Sequence, residues 1–348
     1  MSVTIRDVAK LAGTSISAVS VALNGKVNST IRISPATRDK IYAAAAQLGY
    51  VSNPVARSLA TGRTKVVGLM LPYADAFFDQ NPFCSQVMLG VMGEVVHSHY
   101  NLMLYTATEG IAPYQTAMLI DARIEGLVLV MPPDNGSVFS KCQRRGIPYV
   151  SVLHNPEPGD WCVNSDDYMG GRLAAEHLIK LGHKKVVHLK GSDDVTTSLP
   201  RMKGFLDTFE AAGIDLGDDC IVPSGFDWKF GYQSMQDILR DRAGNLPTAI
   251  FAANDLCAEG AIRAIREAGL SVPGDFAIVG YDDTWYSTMT QPPLTTVHMP
   301  IVEMGRLAAD LLIKRLEKEE PAETQVVLPV SLTVRESCGA SRAPVGTT

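Results

Sequence analysis

The sequence predicts an α/β protein: a two-lobed, doubly wound parallel-sheet core preceded by a small all-α helix-turn-helix domain. Three observations carry this. From residue 65 onwards, apolar runs of strand length alternate with helical stretches. The first sixty residues show helix caps and helical periodicity. The length of 348 residues exceeds what one core spans, since single cores stop growing at about 250–300 residues.

The first element begins at Thr4-Ile5-Arg6-Asp7, a capping box in which hydroxyl and carboxylate satisfy free amides at a helix start. Ile5, Val8, Ala9 and Ala12 then share one face, and Gly13 supplies the left-handed residue that ends helices. Ser15 restarts the chain as an N-cap. Ala18, Val19, Ala22 and Leu23 give the next helix its inner face, with Ile16, Ser17, Ser20, Val21 and Asn24 outside. A third helix opens at Ser34-Pro35 and stops at Gly49, with Ile41, Ala45 and Leu48 closing a three-helix core. Asn53-Pro54 starts one more helix of about two turns before Gly62, too short to stand alone in water.

Charge divides the chain. Residues 1–65 carry nine Lys/Arg against two Asp/Glu, a net of +7, whereas the remainder carries 22 against 35, a net of -13. A cationic end suits phosphate backbones and an acidic body stays off them. With 46% hydrophobic and 20% charged residues, the composition is that of a globular protein. No apolar run of 18 residues and no secretory leader is present, so a cytoplasmic protein without a membrane partner is expected. The six cysteines lie at least twenty residues apart and read as buried reduced thiols, with no metal site and no cofactor.

In the core, strand-like runs fall at Val66–Leu71, Leu102–Tyr105, Gly126–Met131, Tyr149–Leu153, Lys185–Leu189, Ala249–Ala252 and Phe276–Val279. This is the βαβ pattern of a parallel sheet, and the runs on either side of Asp166 make two lobes with a cleft between them. Ligands of open α/β sheets bind beyond the carboxyl ends of the strands. Arg201, Asn254 and Asp282 stand there, a guanidinium fork, an amide and a carboxylate that match vicinal hydroxyls. Trp228, in the Phe226–Phe230 loop, offers a stacking face, and His154 lies where the first lobe meets the cleft. Each has a plainer reading: Arg201 as an internal ion pair, Trp228 as a cover for the core, His154 as a packing residue. Asp255 is read as the N-cap of the helix from Leu256, Asp166 and Asp167 as caps of the helix from Tyr168 or as ligand contacts, and His183 as serving a helix C-terminus.

TIRDVAKLAGTSISAVSVALNG followed by NPVARSLATGRT resembles the headpiece and hinge of the LacI/GalR family, and VNSDDYMGG, LIKLGHKKVVHLKG, FAANDLCAEGAIRAI, VGYDD and PPLTTV resemble that family's core. The resemblance implies a periplasmic-binding-protein-like core. It also implies a helix from Ser15 in the major groove, with Ile16, Ser17 and Val21 reading bases and Asn24 near the backbone. Thr4, Ser15, Ser20 and Asn53 are further DNA contacts, Arg57 a phosphate contact, and Leu59 a wedge into the minor groove. Val21 departs from the arginine many relatives carry, so their operator sequence does not transfer. The Lys26–Ile33 stretch is a few residues longer than usual, and Lys26 and Arg32 add phosphate contacts.

The resemblance divides the chain into a headpiece over 1–50, a hinge over 51–64, a core over 65–338 and a disordered tail over 339–348. Three lobe crossings put lobe one at about 65–162 and 296–324, and lobe two at about 163–295 and 325–338. At the positions of Arg201, Asn254 and Asp282, sugar-binding relatives hold their effector. The helix Leu89–His99 has an apolar stripe for self-association, and the polar tail lacks a heptad repeat, so a homodimer is expected. The aromatic stretch Ala74–Phe83 either walls the pocket or packs at the dimer interface. The partners implied are operator DNA and a small-molecule effector, a saccharide first and a nucleobase or nucleoside second. A transport solute-binding protein needs an export signal, and an enzyme needs a catalytic motif. No GxGxxG, P-loop or HExxH occurs, nor a nucleophile elbow in its proper setting.

Overall fold

The computed structural model describes residues 3–24, 32–51, 58, 62–72, 82–105, 123–132, 137–193, 195–242 and 244–340. Lys26, Asn53, Arg57, Leu59, Phe77, Phe78, the side chain of Asn24 and the chain beyond Ala340 lie outside the described residues. The chain divides into two compact units, residues 1–66 with Arg123–Glu125, and the remainder.

In the first unit, α1 (Ile5–Ala12), α2 (Ile16–Asn24) and α3 (Pro35–Leu48) enclose Val8, Ala9, Ala18, Val19, Ala22, Ile41, Ala44 and Ala45. The caps are those the sequence specifies. Asp7 accepts from the Thr4 amide at 2.9 Å and from its hydroxyl at 2.7 Å, Ser15 Oγ accepts from the Ala18 amide at 3.1 Å, and Ser34 Oγ from the Thr37 amide at 3.2 Å. Gly13 and Gly49, both at φ 63°, end α1 and α3 in the left-handed region. The Tyr42 hydroxyl donates to the Ala22 carbonyl at 3.2 Å and ties α3 to the end of α2.

The second unit holds two sheets of six strands. The first contains β1 (Val66–Met70), β2 (Asn101–Tyr105), β3 (Gly126–Val130), β4 (Tyr149–Val152), β5 (Cys162–Ser165) and β11 (Gln325–Leu328), in the order β11-β5-β4-β3-β1-β2. The second contains β6 (Val186–Lys190), β7 (Ile221–Pro223), β8 (Ala249–Ala252), β9 (Ala277–Asp282), β10 (Thr295–His298) and β12 (Ser331–Thr333), in the order β12-β10-β9-β8-β6-β7. β12 runs antiparallel to β10, while the β6–β8, β8–β9 and β9–β10 ladders are parallel. Strands such as β3, β8 and β9 are buried throughout because helices cover both faces, which is why they read as unbroken apolar runs.

The crossings fall later than expected. β5 stays wholly in the first sheet, Val163 facing Val152 on one side and Val326 on the other, so the chain leaves that sheet after Ser165 rather than at 162. β10 belongs to the second sheet, which moves the return to residues 299–300. The chain over residues 325–333 forms two strands, one for each sheet: β11 pairs with β5 and β12 with β10.

Helices α4 (Pro82–His97), α5 (Ser137–Arg145), α6 (Asp167–Lys180), α7 (Ser198–Ala211), α8 (Trp228–Asp241), α9 (Asp255–Glu267) and α10 (Ile301–Glu317) complete the layers. Three pairs approach through glycine: α4 with α10, α6 with α7, and α8 with α9. A Cβ on Gly90 would stand 1.9 Å from the Val302 carbonyl oxygen, one on Gly171 1.9 Å from that of Arg201, and one on Gly260 2.0 Å from that of Trp228. α4 starts seven residues before the expected Leu89, because Pro82 and Phe83 form its first turn and are buried in the core. Phe83 packs inside, and residues 74–81 of the aromatic stretch lie outside the described residues. Leu89, Met92 and Val96 on its outer side remain exposed.

Candidate functional site

Helix caps bring the core's polar residues to the carboxyl ends of β5, β8 and β9. Asp166 caps α6, its Oδ1 accepting from the Met169 amide at 2.9 Å. This sets Asp167 in the first turn, facing inward, where its two oxygens accept from Arg201 Nη2 at 2.7 Å and from Ser165 Oγ at 3.0 Å. Arg201, in the first turn of α7, is 3% exposed. Its Nη1 donates to the Ala253 carbonyl, and the guanidinium lies 3.3 Å from the centroid of the Tyr281 ring. Its Nε finds no acceptor among the described residues. Burial opposes the charge, but Asp167, Tyr281 and Asp282 together hold the guanidinium protonated above its ordinary range.

Asn254 caps α9, accepting from the Cys257 amide at 2.9 Å, and its Nδ2 donates to the Phe226 carbonyl at 3.0 Å. The expected cap, Asp255, lies instead inside the first turn of α9. There it accepts from the Thr284 amide at 2.9 Å and from Thr296 Oγ1 at 2.6 Å, tying together the chain on both sides of the Asp282 turn. The cap moved back one residue because Asn254 is the extended one, at φ -156°. At that turn Asp282 (φ 104°) and Asp283 (φ 53°) both occupy the left-handed side of backbone space, a strain that non-glycine residues hold only when their surroundings over-determine it. Asp283 supplies that determination, accepting from Arg335 Nη2 at 2.6 Å and Thr333 Oγ1 at 3.0 Å.

Asp282 is left facing inward, 6% exposed. Burial pushes its carboxyl far above the usual range, and the nearby Asp255 charge adds to this. Burial also raises Asp255, to about 7, against the donors that favour its charged form. Asp167 and Asp282 thus flank the Arg201 guanidinium, with Asp255 close enough to Asp282 to act on its charge. The arrangement offers a planar fork, carboxyl oxygens and an aromatic ring in one place, which is chemistry for recognising a polyhydroxylated or heterocyclic molecule.

The other two expected site residues stand apart from this cluster in their contacts. Trp228 is not in a loop: it is the first residue of α8, behind an Asp227 cap, edge-on to Tyr232 at 6.4 Å and 5.5 Å from the Arg263 guanidinium. His154 belongs to the first lobe, its ring 4.7 Å from Phe139. Thr196 Oγ1 of the second lobe donates to the carbonyl of the neighbouring Leu153 at 3.2 Å. His183 bonds Thr248 Oγ1 at 2.9 Å. Asp167, read in sequence as a cap or a ligand contact, and Tyr281, which reads only as the end of an apolar strand, also belong to the cluster.

In the headpiece, Thr4, Ser15 and Ser17 are exposed, and Ser20 and Val21 are half-buried. Ile16 is 45% exposed, an apolar side chain that serves no core. Among the described residues no group of His, Cys, Asp and Glu is arranged to hold a metal ion, and no helix is long and apolar enough to cross a membrane. All six cysteines are buried as free thiols.

A family profile described as bacterial regulatory proteins, lacI family, matches residues 4–53, and one described as a periplasmic binding protein-like domain matches residues 175–338. The chain is 33% identical over 338 residues to the HTH-type transcriptional regulator CelR of Thermobifida fusca, covering 96% of this chain and 98% of the relative. It is 32% identical over 338 residues to the HTH-type transcriptional repressor PurR of Erwinia tasmaniensis, covering 95% and 96%. Among solved structures, a CelR–cellobiose complex superposes with a TM-score of 0.73 at 31% identity, covering 96% of this chain and 99% of the other. A Lac repressor dimer bound to operator and the anti-inducer ONPF superposes with a TM-score of 0.83 at 27% identity, covering 97% and 99%. The chain belongs to the LacI family of bacterial regulatory proteins and is a DNA-binding transcription regulator with a helix-turn-helix headpiece and a periplasmic-binding-protein-like core.

Proposed function

We propose that the chain is a repressor that binds a palindromic operator as a homodimer and answers to a small polyhydroxylated molecule, a saccharide, held at the Arg201–Asp282 cluster. The observation that carries the effector reading is the buried Arg201 fork with a spare Nε donor, stacked on Tyr281 and flanked by carboxyl groups. A sugar ring presents paired hydroxyls to such groups. The relative CelR, whose solved complex contains cellobiose, supports the class. The exposed Leu89, Met92 and Val96 stripe supplies the dimer contact, and Ile16, Ser17 and Val21 the base contacts. The role is binding and switching, without catalysis.

Switching is a population shift between two lobe arrangements, and an effector moves it only as far as its affinities for the two differ. The test is selection of bound sequences from random DNA by the purified protein, alone, with cellobiose and with hypoxanthine. An enriched palindrome whose recovery changes with cellobiose supports the reading. A response to hypoxanthine alone replaces the saccharide with a nucleobase, and no enrichment in any arm rejects operator binding.

A further inference from the structure

Four hydrogen bonds join residues 63–66 to one side chain and its own amide. Glu125, immediately before β3, accepts at Oε2 from Arg63 Nε at 3.0 Å and from Arg63 Nη2 at 2.7 Å. Its Oε1 accepts from the Lys65 amide at 2.7 Å, and its own amide donates to the Val66 carbonyl at 2.8 Å. The Glu125 side chain is 13% exposed and that of Arg63 36%. Lys65 is left-handed at φ 54°, a conformation that persists in a lysine only where the surroundings impose it. A surface ion pair alone does not need a backbone amide, a carbonyl and a strained residue gathered around one carboxylate.

The DNA-reading residues connect to the core by this single stretch of chain. We propose that Glu125 is a positioning residue for operator binding: its carboxylate holds Arg63 and the Lys65 amide and so fixes the path of the chain over residues 63–66, where the DNA-reading part continues into the core. Specific binding needs that path, because base contacts and a minor-groove wedge demand a set geometry, whereas nonspecific binding draws on charge alone. The two affinities therefore separate a positioning role from a merely structural one.

The experiment compares wild type, Glu125→Gln, Glu125→Ala, Arg63→Lys and the Arg63→Lys/Glu125→Gln double variant in full-length protein. The readouts are affinity for the palindrome that wild type selects, affinity for random duplex, and thermal unfolding. Glu125→Gln keeps an acceptor for the Lys65 amide, and Arg63→Lys keeps the charge while losing the two-pronged bond. Each single variant is expected to lose about three- to tenfold in operator affinity, with random-duplex affinity and melting temperature unchanged. Glu125→Ala loses at least as much as Glu125→Gln, and the double variant loses no more than the worse single, the sign of a shared interaction. Equal losses on both DNAs, additive losses in the double variant, or unchanged operator affinity would overturn the proposal. If wild type selects no palindrome, operator binding itself fails first, a result visible before any variant is compared.

Discussion

Replacing Arg201 with methionine removes a guanidinium from a pair whose partner, Asp167, is only 6% exposed. The Ser165 hydroxyl still reaches Asp167, but the carboxylate loses its counter-charge in a site where Asp282 and Asp255 are already crowded. Breaking a buried pair from one side costs about 3–5 kcal/mol. At about 2–4 °C per kcal/mol for a domain of this size, melting should fall by roughly 6–20 °C. Arg201→Met/Asp167→Leu should recover much of that loss, since an apolar pair of similar volume strands no charge. Differential scanning calorimetry reads both variants, and titration of the folded double variant with cellobiose separates stability from binding. Melting within about 2 °C of wild type for Arg201→Met would refute the reasoning. The fork would then be free to serve the effector alone, and the ion pair would be incidental.

Other consequences can be measured on the same protein. Gly260→Ala places a methyl 2.0 Å from the Trp228 carbonyl oxygen, so α8 and α9 must part; a loss of about 1–3 kcal/mol is expected in urea unfolding, and a neutral result would contradict the close approach. Asp255 loses its proton near 3.8 when unfolded but only at about 7 when folded. Its contribution to stability is therefore fully present below about 3.8 and is lost as pH rises through about 7. Between these limits, melting temperature in Asp255→Asn should decline less with rising pH than in wild type, and parallel profiles would count against the assignment. Ser34→Ala removes the cap of α3 and should cost the headpiece about 1 kcal/mol, read from headpiece amide exchange. Leu59→Ala should weaken operator binding more than random-duplex binding; equal weakening in a competition assay would reject the wedge.

The headpiece was legible almost residue by residue because its signals are local. A cap, a helical face and a left-handed glycine each act within one or two turns, so Thr4, Ser15, Gly13, Ser34 and Gly49 stand where their side chains dictate. The alternation of strands and helices was legible for the same reason. The short strands β5, β7 and β10 were not marked out, since runs of three or four residues, some holding polar ones such as Asn164 and Thr296, show no clean period. The lobe crossings were misplaced by a few residues because a crossing is set by which ladder a strand joins. That choice depends on partners far away in sequence, as Val163 with Val326 shows.

The cluster shows the limit in another way. Arg201, Asn254 and Asp282 were each found by one rule, position beyond a strand's carboxyl end, and the structure gathers their surroundings at the ends of adjacent strands β8 and β9 and the helix starts beside them. What the rule could not choose was the pairing. Asp166 and Asp167 are chemically identical neighbours, and helix geometry gives one to the Met169 amide and the other to Arg201. The glycine at 171 is part of the same decision. Its missing side chain lets the Arg201 backbone come close to α6, which brings the guanidinium to Asp167 in the preceding turn. A glycine that looks like a helix weakness in sequence is therefore a condition for the site's charge balance, and the site is specified by packing before it is specified by polar groups.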